Sequence, residues 1–412
     1  LYRELIASER FDPRPARPLY PNGSRYRTAG AFLQDRIELI PNRLRATLGG
    51  RWTQVRYGGR NYGDFTYSTN LRWQVASALA LHGAVGRGFR APNVNDLGGI
   101  GLNDLGYEIP AAEAAQAGAL LGANASEGAT SLGRPLAELR AERLFNYEFG
   151  VQTNVKRIEA RAQLFNAELR DPIVRRTVLF PANAPPSTLA GLPVRVIPPT
   201  PAQQAQGVLT VATQFDPRAV KAFVNDGASR YYGLETMLRA RLTPHWTLEG
   251  QYSYILGRDL NPNRNIRRLP PQQGMVAITR ARARYWWRAS AVFAGAQRRL
   301  SGGDFDDERI GGARSRNDIA AFVAGARFVP TGETLRQIQD RVLPGVADGV
   351  RVPMYTSTAG WITANVQAGW SLTERWSIVG GVANLADRNY RFHGSGIDAP
   401  GANAFLSLRA LF

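Results

Sequence analysis

Apolar and polar residues alternate along many stretches of this chain, as they do in β-strands that have one apolar and one polar face. Around Leu71, one face carries Phe65, Tyr67, Thr69, Leu71, Trp73 and Val75. The opposite face carries Thr66, Ser68, Asn70, Arg72 and Gln74. Stretches of this kind predict about thirteen strands, near residues 26–40, 43–57, 64–75, 79–89, 145–156, 157–170, 228–242, 244–258, 271–282, 284–298, 355–372, 374–386 and 403–412.

The connections between these strands are of two kinds. Tight turns are predicted near residues 41–42, 76–78, 154–156, 243–244 and 373–374. Long loops are predicted near residues 91–144, 177–227, 258–269, 299–354 and 388–402. Short turns at one end and long loops at the other are typical of an outer-membrane barrel, whose long loops lie outside the cell. We therefore predict an all-β fold, an antiparallel transmembrane β-barrel with long extracellular loops.

The last strand and the first one bear on how the barrel closes. The chain ends on Phe412, and an alternating strand with an aromatic last residue suits the closing strand of such a barrel. The first and last predicted strands both run from outside inward, so they cannot pair antiparallel. We expect at least one strand before residue 26. Residues 1–25 are then an extracellular loop or the end of a missing strand, and residues 26–412 the C-terminal part of a larger barrel.

Composition narrows the class of protein further. No run of eighteen apolar residues is present, so no membrane helix is predicted, and the absence of cysteine excludes disulfides and thiol chemistry. The net charge of +18 comes almost wholly from arginine, since the only lysines are Lys156 and Lys221. Because the arginines are dispersed through alternating segments, a basic lumen or basic rims are favoured over a nucleic-acid partner. Residues 1–17 lack the apolar centre of a signal peptide, so we expect the true N-terminus upstream.

Three loop segments carry predictions of their own. Residues 111–121 are alanine-rich and predict a short helix. A second helix is predicted over residues 331–342, with Thr331 as its N-cap. Residues 181–201 are proline-rich and are predicted to be irregular.

Four motifs, in order along the chain, resemble those of the TonB-dependent outer-membrane receptors. Residues 86–97 are similar to the "RGFRAP…NEL" stretch, and residues 142–150 to the "PE…NYELG" strand start, with Ala141 where that family usually has proline. Residues 225–235 resemble the "N…A…GVE" strand, and residues 384–390 the "NL-x-D-x-x-Y" box. The resemblance covers about residues 26–412. The motif residues are Arg87, Gly88, Phe89, Arg90, Pro92, Glu142, Asn146, Glu148, Gly233, Glu235, Asn384, Asp387, Tyr390 and Phe412.

The roles expected for these motif residues are mainly structural. Pro92 should end strand pairing, while Gly86 and Gly88 should allow close backbone approach. Arg90 is a candidate for an electrostatic network at the top of the strand. Glu142 and Glu148 are candidates for ion pairs with arginines inside the wall. Asn384, Asp387 and Tyr390 are expected to order the last outer turn by side-chain to backbone hydrogen bonds.

Membership of this family would imply a 22-stranded barrel around an N-terminal plug domain and uptake driven by the inner-membrane TonB complex. This chain lacks the plug and the TonB box. The implied partners are outer-membrane lipid, the missing plug, the TonB complex, the barrel-assembly machinery at the strand ending in Phe412, and a small-molecule substrate that the sequence does not identify. The implied location is the outer membrane of a Gram-negative cell.

Candidate ligand-facing residues come from the polar faces and from one loop. They are Arg72, Arg161, Arg239, Arg241, Arg288 and His393. The arginines would suit an anionic ligand, although the lumen must also bind the plug. A loop histidine without such a role is the more common case for His393. Haem is disfavoured, because residues 93–141 contain no histidine and no "NPNL" box.

No metal site, cofactor or catalytic group is predicted. The acidic residues Asp304, Asp306, Asp307 and Glu308 fit no EF-hand loop and suggest a solvated acidic turn. The leading hypothesis is energy-coupled uptake of a scarce nutrient, most often a ferric siderophore in this family. A passive pore of about fourteen strands is the alternative, but it leaves the receptor motifs unexplained. A barrel-type enzyme would need clustered Ser, His and Asp residues near a rim, and the sequence shows none.

Overall fold

The computed structural model of the protein describes residues 25–103, 106–261, 263–325 and 332–411. Predictions that concern residues 1–24, Thr331 and Phe412 therefore lie outside the described residues. The strands, in chain order, are β1 (Tyr26–Ile40), β2 (Leu44–Tyr57), β3 (Arg60–Ala76), β4 (Leu79–Arg90), β5 (Gly101–Asn103), β6 (Gly106–Glu108), β7 (Leu120–Gly122), β8 (Ser131–Pro135), β9 (Glu142–Val155), β10 (Ile158–Arg170), β11 (Ile173–Pro181), β12 (Thr188–Leu189), β13 (Leu192–Ile197), β14 (Val208–Thr213), β15 (Lys221–Asn225), β16 (Ala228–Arg241), β17 (Trp246–Leu260), β18 (Asn263–Asn265), β19 (Gln273–Ala281), β20 (Tyr285–Ala294), β21 (Trp361–Ser371), β22 (Trp376–Ala383) and β23 (Asn403–Ala410).

The helices are short and all lie in the long connections. They are α1 (Val94–Gly98), α2 (Ala111–Gln116), α3 (Pro201–Ala205), α4 (Gly302–Asp306), α5 (Arg316–Gly325) and α6 (Leu335–Val342). None of the helices in the described residues is long and apolar enough to cross a membrane.

One large antiparallel sheet forms the wall. Within the described residues its order is β1-β2-β3-β4-β9-β10-β16-β17-β19-β20-β21-β22-β23, with β18 paired to β17. All thirteen predicted strands fall on this path, which confirms the antiparallel barrel-type fold. The two edge strands, β1 and β23, both run from the long-loop end to the short-turn end. The wall strands predicted over 284–298, 355–372 and 374–386 are shorter than expected: they end at Ala294, begin at Trp361 and span Trp376–Ala383.

The register keeps each face of the wall chemically consistent from strand to strand. Leu71 lies opposite Ala46 and Gly83, and Gly83 lies opposite Phe149. At the other edge Leu406 lies opposite Gly380 and is 76 % exposed. Hydrophobic side chains left open along one whole face suit contact with lipid. We call this the apolar face and its opposite the polar face.

The connections follow the predicted division between two ends. Short turns at residues 41–43, 77–78, 156–157, 242–245, 282–284 and 372–375 share one end. The other end carries the connections 91–141, 171–227, 261–272, 295–360 and 384–402. It also has one tight turn that the sequence analysis missed, at Gly58 and Gly59. Both residues have positive φ (54° and 80°), as a two-residue type I′ hairpin turn requires, and glycine adopts it without strain.

The first two long connections fold together into a second sheet, which the sequence analysis did not predict. Its order is β12-β13-β14-β11-β15-β6-β5, with β7 joining β11 to β8. An apolar core that includes Ile109, Phe180, Val211 and Val220 lies against it. The expectation that residues 181–201 are irregular is wrong, because β12 and β13 form a hairpin that β14 extends. We call residues 91–141 and 171–227 the loop subdomain.

The helical predictions are confirmed in position, with one correction. Helix α2 lies in the alanine-rich segment, and α6 lies in the second predicted segment. The side chain of Thr334 caps α6 and forms a capping box with Gln337, so the N-cap stands three residues later than predicted. The Arg316 side chain of α5 is only 4 % exposed and pairs with Asp340 of α6 at 2.5 Å. It also donates to the carbonyl of Val346, which follows α6, at 2.6 Å.

Lys221 is an unusual member of the loop subdomain because its ammonium group lies inside the core. The side chain is 1 % exposed. Its Nζ donates to the Ala219 carbonyl at 3.0 Å and meets Glu127 at 3.4 Å. Burial lowers the pKa of Lys221, although the charge of Glu127 opposes the shift. The charged form is therefore poorly compensated for its loss of water.

We expect Lys221→Met to stabilise the loop subdomain at neutral pH by about 1–3 kcal/mol, since an apolar side chain of similar length needs no such compensation. A lysine whose folded pKa is lowered costs stability as the pH falls below its ordinary value of 10.5. The gain should therefore shrink at high pH. The rate of proteinase K cleavage within residues 171–227 measures the stability of the loop subdomain. Lys156→Met in the β9–β10 turn is the matched control. Faster cleavage of Lys221→Met would contradict the expectation.

Candidate functional site

Arg90 stands at the centre of a polar hub where the wall meets the loop subdomain. As the last residue of β4, it donates to the two carboxylate oxygens of Glu142 at 2.5 and 2.9 Å. Its third contact is with Asp96 at 2.8 Å. Glu142 also accepts the backbone N–H of Ile173 at 2.6 Å. The hub therefore ties together β4, α1, β9 and β11.

The rest of the first motif supports this hub. Asp96 and Asn93 form a capping box at the start of α1, which fixes the carboxylate that Arg90 meets. The Pro92 carbonyl accepts from the Tyr26 hydroxyl at 3.4 Å, just after pairing of β4 ends. Gly88 does not need a close approach, because an added Cβ would lie 3.5 Å from Leu144, an ordinary contact. The same holds at Gly86, where the nearest atom would also be 3.5 Å away.

Two further motif residues, Arg87 and Phe89, lie on β4, and their partners lie on the neighbouring strands β3 and β9. Arg87 pairs with Asp64 at 2.6 Å and lies 5.8 Å from the Phe145 ring centre. Asp64 also pairs with Arg143 at 2.9 Å, and Arg143 lies opposite Phe89 in the register. Asp64 carries no motif signal, and sequence reasoning did not find it.

Glu148 meets amides rather than the arginine that the sequence suggested. It accepts from Asn146 at 2.6 Å and from Gln163 at 2.6 Å. Gln163 in turn accepts from Arg161. The second motif thus joins a hydrogen-bonded row on the polar face, and among the described residues Glu148 has amide partners and no ion pair.

The predicted lumen arginines share the polar face, and their neighbours bind most of them. Arg72 donates to Gln152 at 2.9 Å. Arg288 pairs with Glu249, which also lies 3.8 Å from Arg239. Arg241 lies opposite Thr247 near the short-turn end. The structure brings Arg239 and Arg288 to one carboxylate, whereas Arg72 and Arg161 donate to the glutamines Gln152 and Gln163.

Gly233 and Glu235 lie on β16 above a crowded part of the wall. A Cβ at Gly233 would be 2.1 Å from the Tyr254 carbonyl oxygen and 2.9 Å from the Phe165 ring. Only glycine fits there without a shift of the backbone. Glu235 lies opposite Gln163 and Ser253 and faces the same side as the arginines.

The last motif orders the start of the final loop. Asn384 has a φ of 52°, and its amide accepts from the Arg388 N–H at 3.0 Å and donates to the Arg388 carbonyl at 2.9 Å. The Asp387 carboxylate accepts the Ala402 N–H at 2.8 Å. Tyr390 instead contributes its ring, which packs against the Trp361 ring with ring centres 4.4 Å apart. Two of the three residues thus make the expected side-chain to backbone bonds.

The acidic turn is solvated only in part: Asp306 and Glu308 are exposed, as the sequence suggested, but Asp304 and Asp307 are buried. Asp304 is fully buried and accepts the N–H of Arg268 at 2.8 Å and of Ser301 at 2.9 Å. Asp307 is 4 % exposed, and three guanidinium groups share its carboxylate. They belong to Arg267, Arg268 and Arg309, at 2.8, 2.8 and 3.0 Å. Arg309 is two residues from Asp307, but Arg267 and Arg268 come from the preceding long connection, which a reading of local spacing cannot detect.

A cavity of about 660 Å³ opens on the polar face toward the long-loop end. Arg161, Glu235 and Gln251 line it from the wall, and Trp361 and Phe392 line it at the long-loop end. Trp361 packs edge-on to Phe392, with ring centres 5.0 Å apart. The site therefore combines a cation, a carboxylate, amides and aromatic rings. Sequence reasoning found Arg161 and Glu235 but missed both aromatic residues, which no motif singles out.

Comparison with known folds gives the same architecture. The siderophore receptor PirA from Acinetobacter baumannii matches with a TM-score of 0.58 at 16% identity, over 94% of this chain and 46% of that one. The copper transporter OprC matches with a TM-score of 0.56 at 13% identity, over 94% and 48%. The ferripyoverdine receptor of Pseudomonas aeruginosa matches with a TM-score of 0.54 at 12% identity, over 94% of this chain and 39% of that one. At such identities the likeness concerns the fold, and the chain spans less than half the length of these proteins.

The sequence itself matches a family description. No curated protein matches it. The family model described as "TonB dependent receptor-like, beta-barrel" matches residues 2–385, which is most of the chain. That match agrees with the four motifs, the antiparallel wall and the long connections at one end. This chain belongs to the TonB-dependent receptor-like β-barrel family.

Proposed function

We propose that this chain is the wall and outer-loop portion of a TonB-dependent receptor in the outer membrane of a Gram-negative bacterium. The receptor takes up a scarce nutrient, with a ferric siderophore or a similar metal complex as the substrate class. Family membership supports the receptor. The names of the matched structures, a siderophore receptor, a copper transporter and a ferripyoverdine receptor, support a metal complex.

The observation that carries the proposal is the cavity at the long-loop end of the polar face. Arg161 offers a cation to an anionic chelate, and Trp361 and Phe392 offer flat apolar surfaces to its organic part. The partners follow from the family: a plug domain inside the wall, the TonB complex, outer-membrane lipid and, at the strand ending in Phe412, the barrel-assembly machinery. Because the receptor motifs serve structural roles, the proposal includes no enzymatic step.

Transport of a metal complex in cells tests this proposal against the passive pore. We would delete the gene in its host, restore it from a plasmid, and follow uptake of radioactive iron supplied with a panel of siderophores. The same strains without a working TonB provide the comparison. Uptake that needs both the gene and TonB supports the receptor. Uptake or conductance that needs the gene but not TonB would favour a pore of about fourteen strands.

A further inference from the structure

His393 lies where three long connections meet. Its Nδ1 is 3.1 Å from the Thr358 hydroxyl. Thr358 exchanges two backbone hydrogen bonds of 3.0 Å with Gln297, whose buried amide donates to the Leu269 carbonyl at 2.7 Å. The contact of His393 with Thr358 therefore joins residues 384–402 to a hydrogen-bonded junction of the connections 261–272 and 295–360.

The segment that carries His393 also covers the cavity on the polar face. Phe392, the preceding residue, lines that cavity and packs on Trp361. Gly394 lies over the Arg268 side chain, where an added Cβ would be 3.6 Å from Cγ. A movement of His393 away from Thr358 would thus carry Phe392 out of the cavity mouth.

The surroundings of the imidazole tolerate its neutral form better than its charged form. Its Nε2 is buried and has no hydrogen-bond partner among the described residues. An unpaired lone pair there costs less than an unpaired N–H of an imidazolium. The nearby carboxylates of Asp304 and Asp307 already accept from Ser301, Arg267, Arg268 and Arg309. They offer no oxygen held for His393.

Electrostatics acts in the same direction. Burial lowers the pKa of His393, the charges of Asp304 and Asp307 oppose this shift, and that of Arg268 adds to it. The ordinary value is 6.5. A histidine whose pKa is lowered in the docked state stabilises that state fully above 6.5 and loses this effect as the pH falls through the lowered value.

We propose that His393 is a proton-sensitive latch that holds residues 384–402 closed over the cavity and releases them on acidification. The latch is a regulatory device of the proposed uptake site, so its physiological meaning rests on the proposed function. The docking itself does not, because the contact with Thr358, the junction behind it and the buried Nε2 belong to the protein whatever its substrate is.

A spin label on the loop tests the latch. The chain has no cysteine and Ile397 is 75 % exposed, so Ile397→Cys gives a single labelling site in the intact protein. We expect an immobile label at about pH 7.5 and a mobile fraction that grows toward about pH 5.5. The ratio of open to docked loop should rise up to about tenfold, since free imidazole is mostly protonated one unit below its pKa.

Three variants of the labelled protein decide the outcome. In His393→Gln the mobility of the label should be the same at both pH values. In Thr358→Val the label should be mobile at both pH values. His245→Gln, at a short turn on the opposite end, should respond like the parent. An unchanged parent spectrum, or a response retained in His393→Gln, would overturn the latch. Because the label reports loop motion without substrate, failed transport would leave this result intact.

Discussion

Replacing Gly233 with alanine is expected to prevent the wall from closing its β10–β16–β17 region and to leave most of the protein unfolded. The added Cβ would lie 2.1 Å from the Tyr254 carbonyl oxygen, which is a backbone atom of the paired strand. It would also lie 2.9 Å from Phe165, whose ring covers this position from β10. A clash with backbone cannot be relieved by a rotamer change, so the strands themselves must separate.

The expected cost is large for a single methyl group. Overpacking of a well-packed site typically costs up to about 3 kcal/mol, and here hydrogen bonds on both sides of β16 would be strained as well. In a sheet that has every strand paired to the next, a local break weakens the registers beyond it. We therefore expect a loss of at least about tenfold in the yield of folded protein, which corresponds to 1.4 kcal/mol or more at equilibrium.

Heat-modifiability on SDS gels measures this yield, since a folded barrel and its boiled chain migrate differently. Gly83→Ala and Gly250→Ala are matched controls in the same wall, because added Cβ atoms there would have their nearest contacts at 3.8 and 3.9 Å. Both controls should fold like the parent. A folded fraction of Gly233→Ala equal to theirs would show that the wall yields more easily than this geometry implies.

The wall could be predicted from the sequence because each strand has one apolar and one polar face. Apolar and polar residues alternate along the sequences of β3, β9 and β23. This period of two indicates both where the strands lie and which face of each is apolar. Tight turns such as 41–43 then mark one end without further information. The four motifs added the family, since each occurs at a strand end in the order that the family shows.

The loop subdomain could not be predicted by the same reasoning. Its central strands are mostly buried, as in β14, where all six residues of Val208–Thr213 are buried. Such a strand shows no alternation, so a continuous apolar run within a long connection looks like loop. Its pairings also join distant segments, for example Val178 with Leu121. Neither spacing nor composition indicates such partners.

The hub at Arg90 lies between these two cases. The sequence made Arg90 a candidate for an electrostatic network and Glu142 a candidate for an ion pair with an arginine, but it did not pair the two. The third member, Asp96, stands six residues after Arg90 and within the matched motif, so the position of its carboxylate could have been used. The bond from the Ile173 N–H to Glu142 could not have been foreseen, because it depends on where the second long connection starts.

Replacing Glu142 with glutamine is expected to loosen the loop subdomain while the wall stays folded. Glutamine can still accept the Ile173 N–H through its carbonyl oxygen, but it cannot hold the Arg90 guanidinium by two charge-assisted bonds. A hydrogen bond to a charged group contributes about 1.5–3 kcal/mol to stability. Because the Glu142 side chain is only 13 % exposed, water screens these bonds little. We expect about 2 kcal/mol less protection for the backbone near residues 91–100 and 171–181, a change of about thirtyfold in local opening.

Hydrogen exchange followed by mass spectrometry measures that opening peptide by peptide. Glu138→Gln is the matched control, since it also removes a carboxylate from an arginine, Arg60 at 2.8 Å, but Glu138 is 75 % exposed. An exposed pair contributes at most about 1 kcal/mol, so its loss should leave exchange nearly unchanged. Equal exchange in the two variants would mean that burial adds nothing to the hub. Faster exchange in the strands β9 and β10 of Glu142→Gln would mean that the hub supports the wall as well as the loops, so the pattern along the chain decides which element depends on this carboxylate.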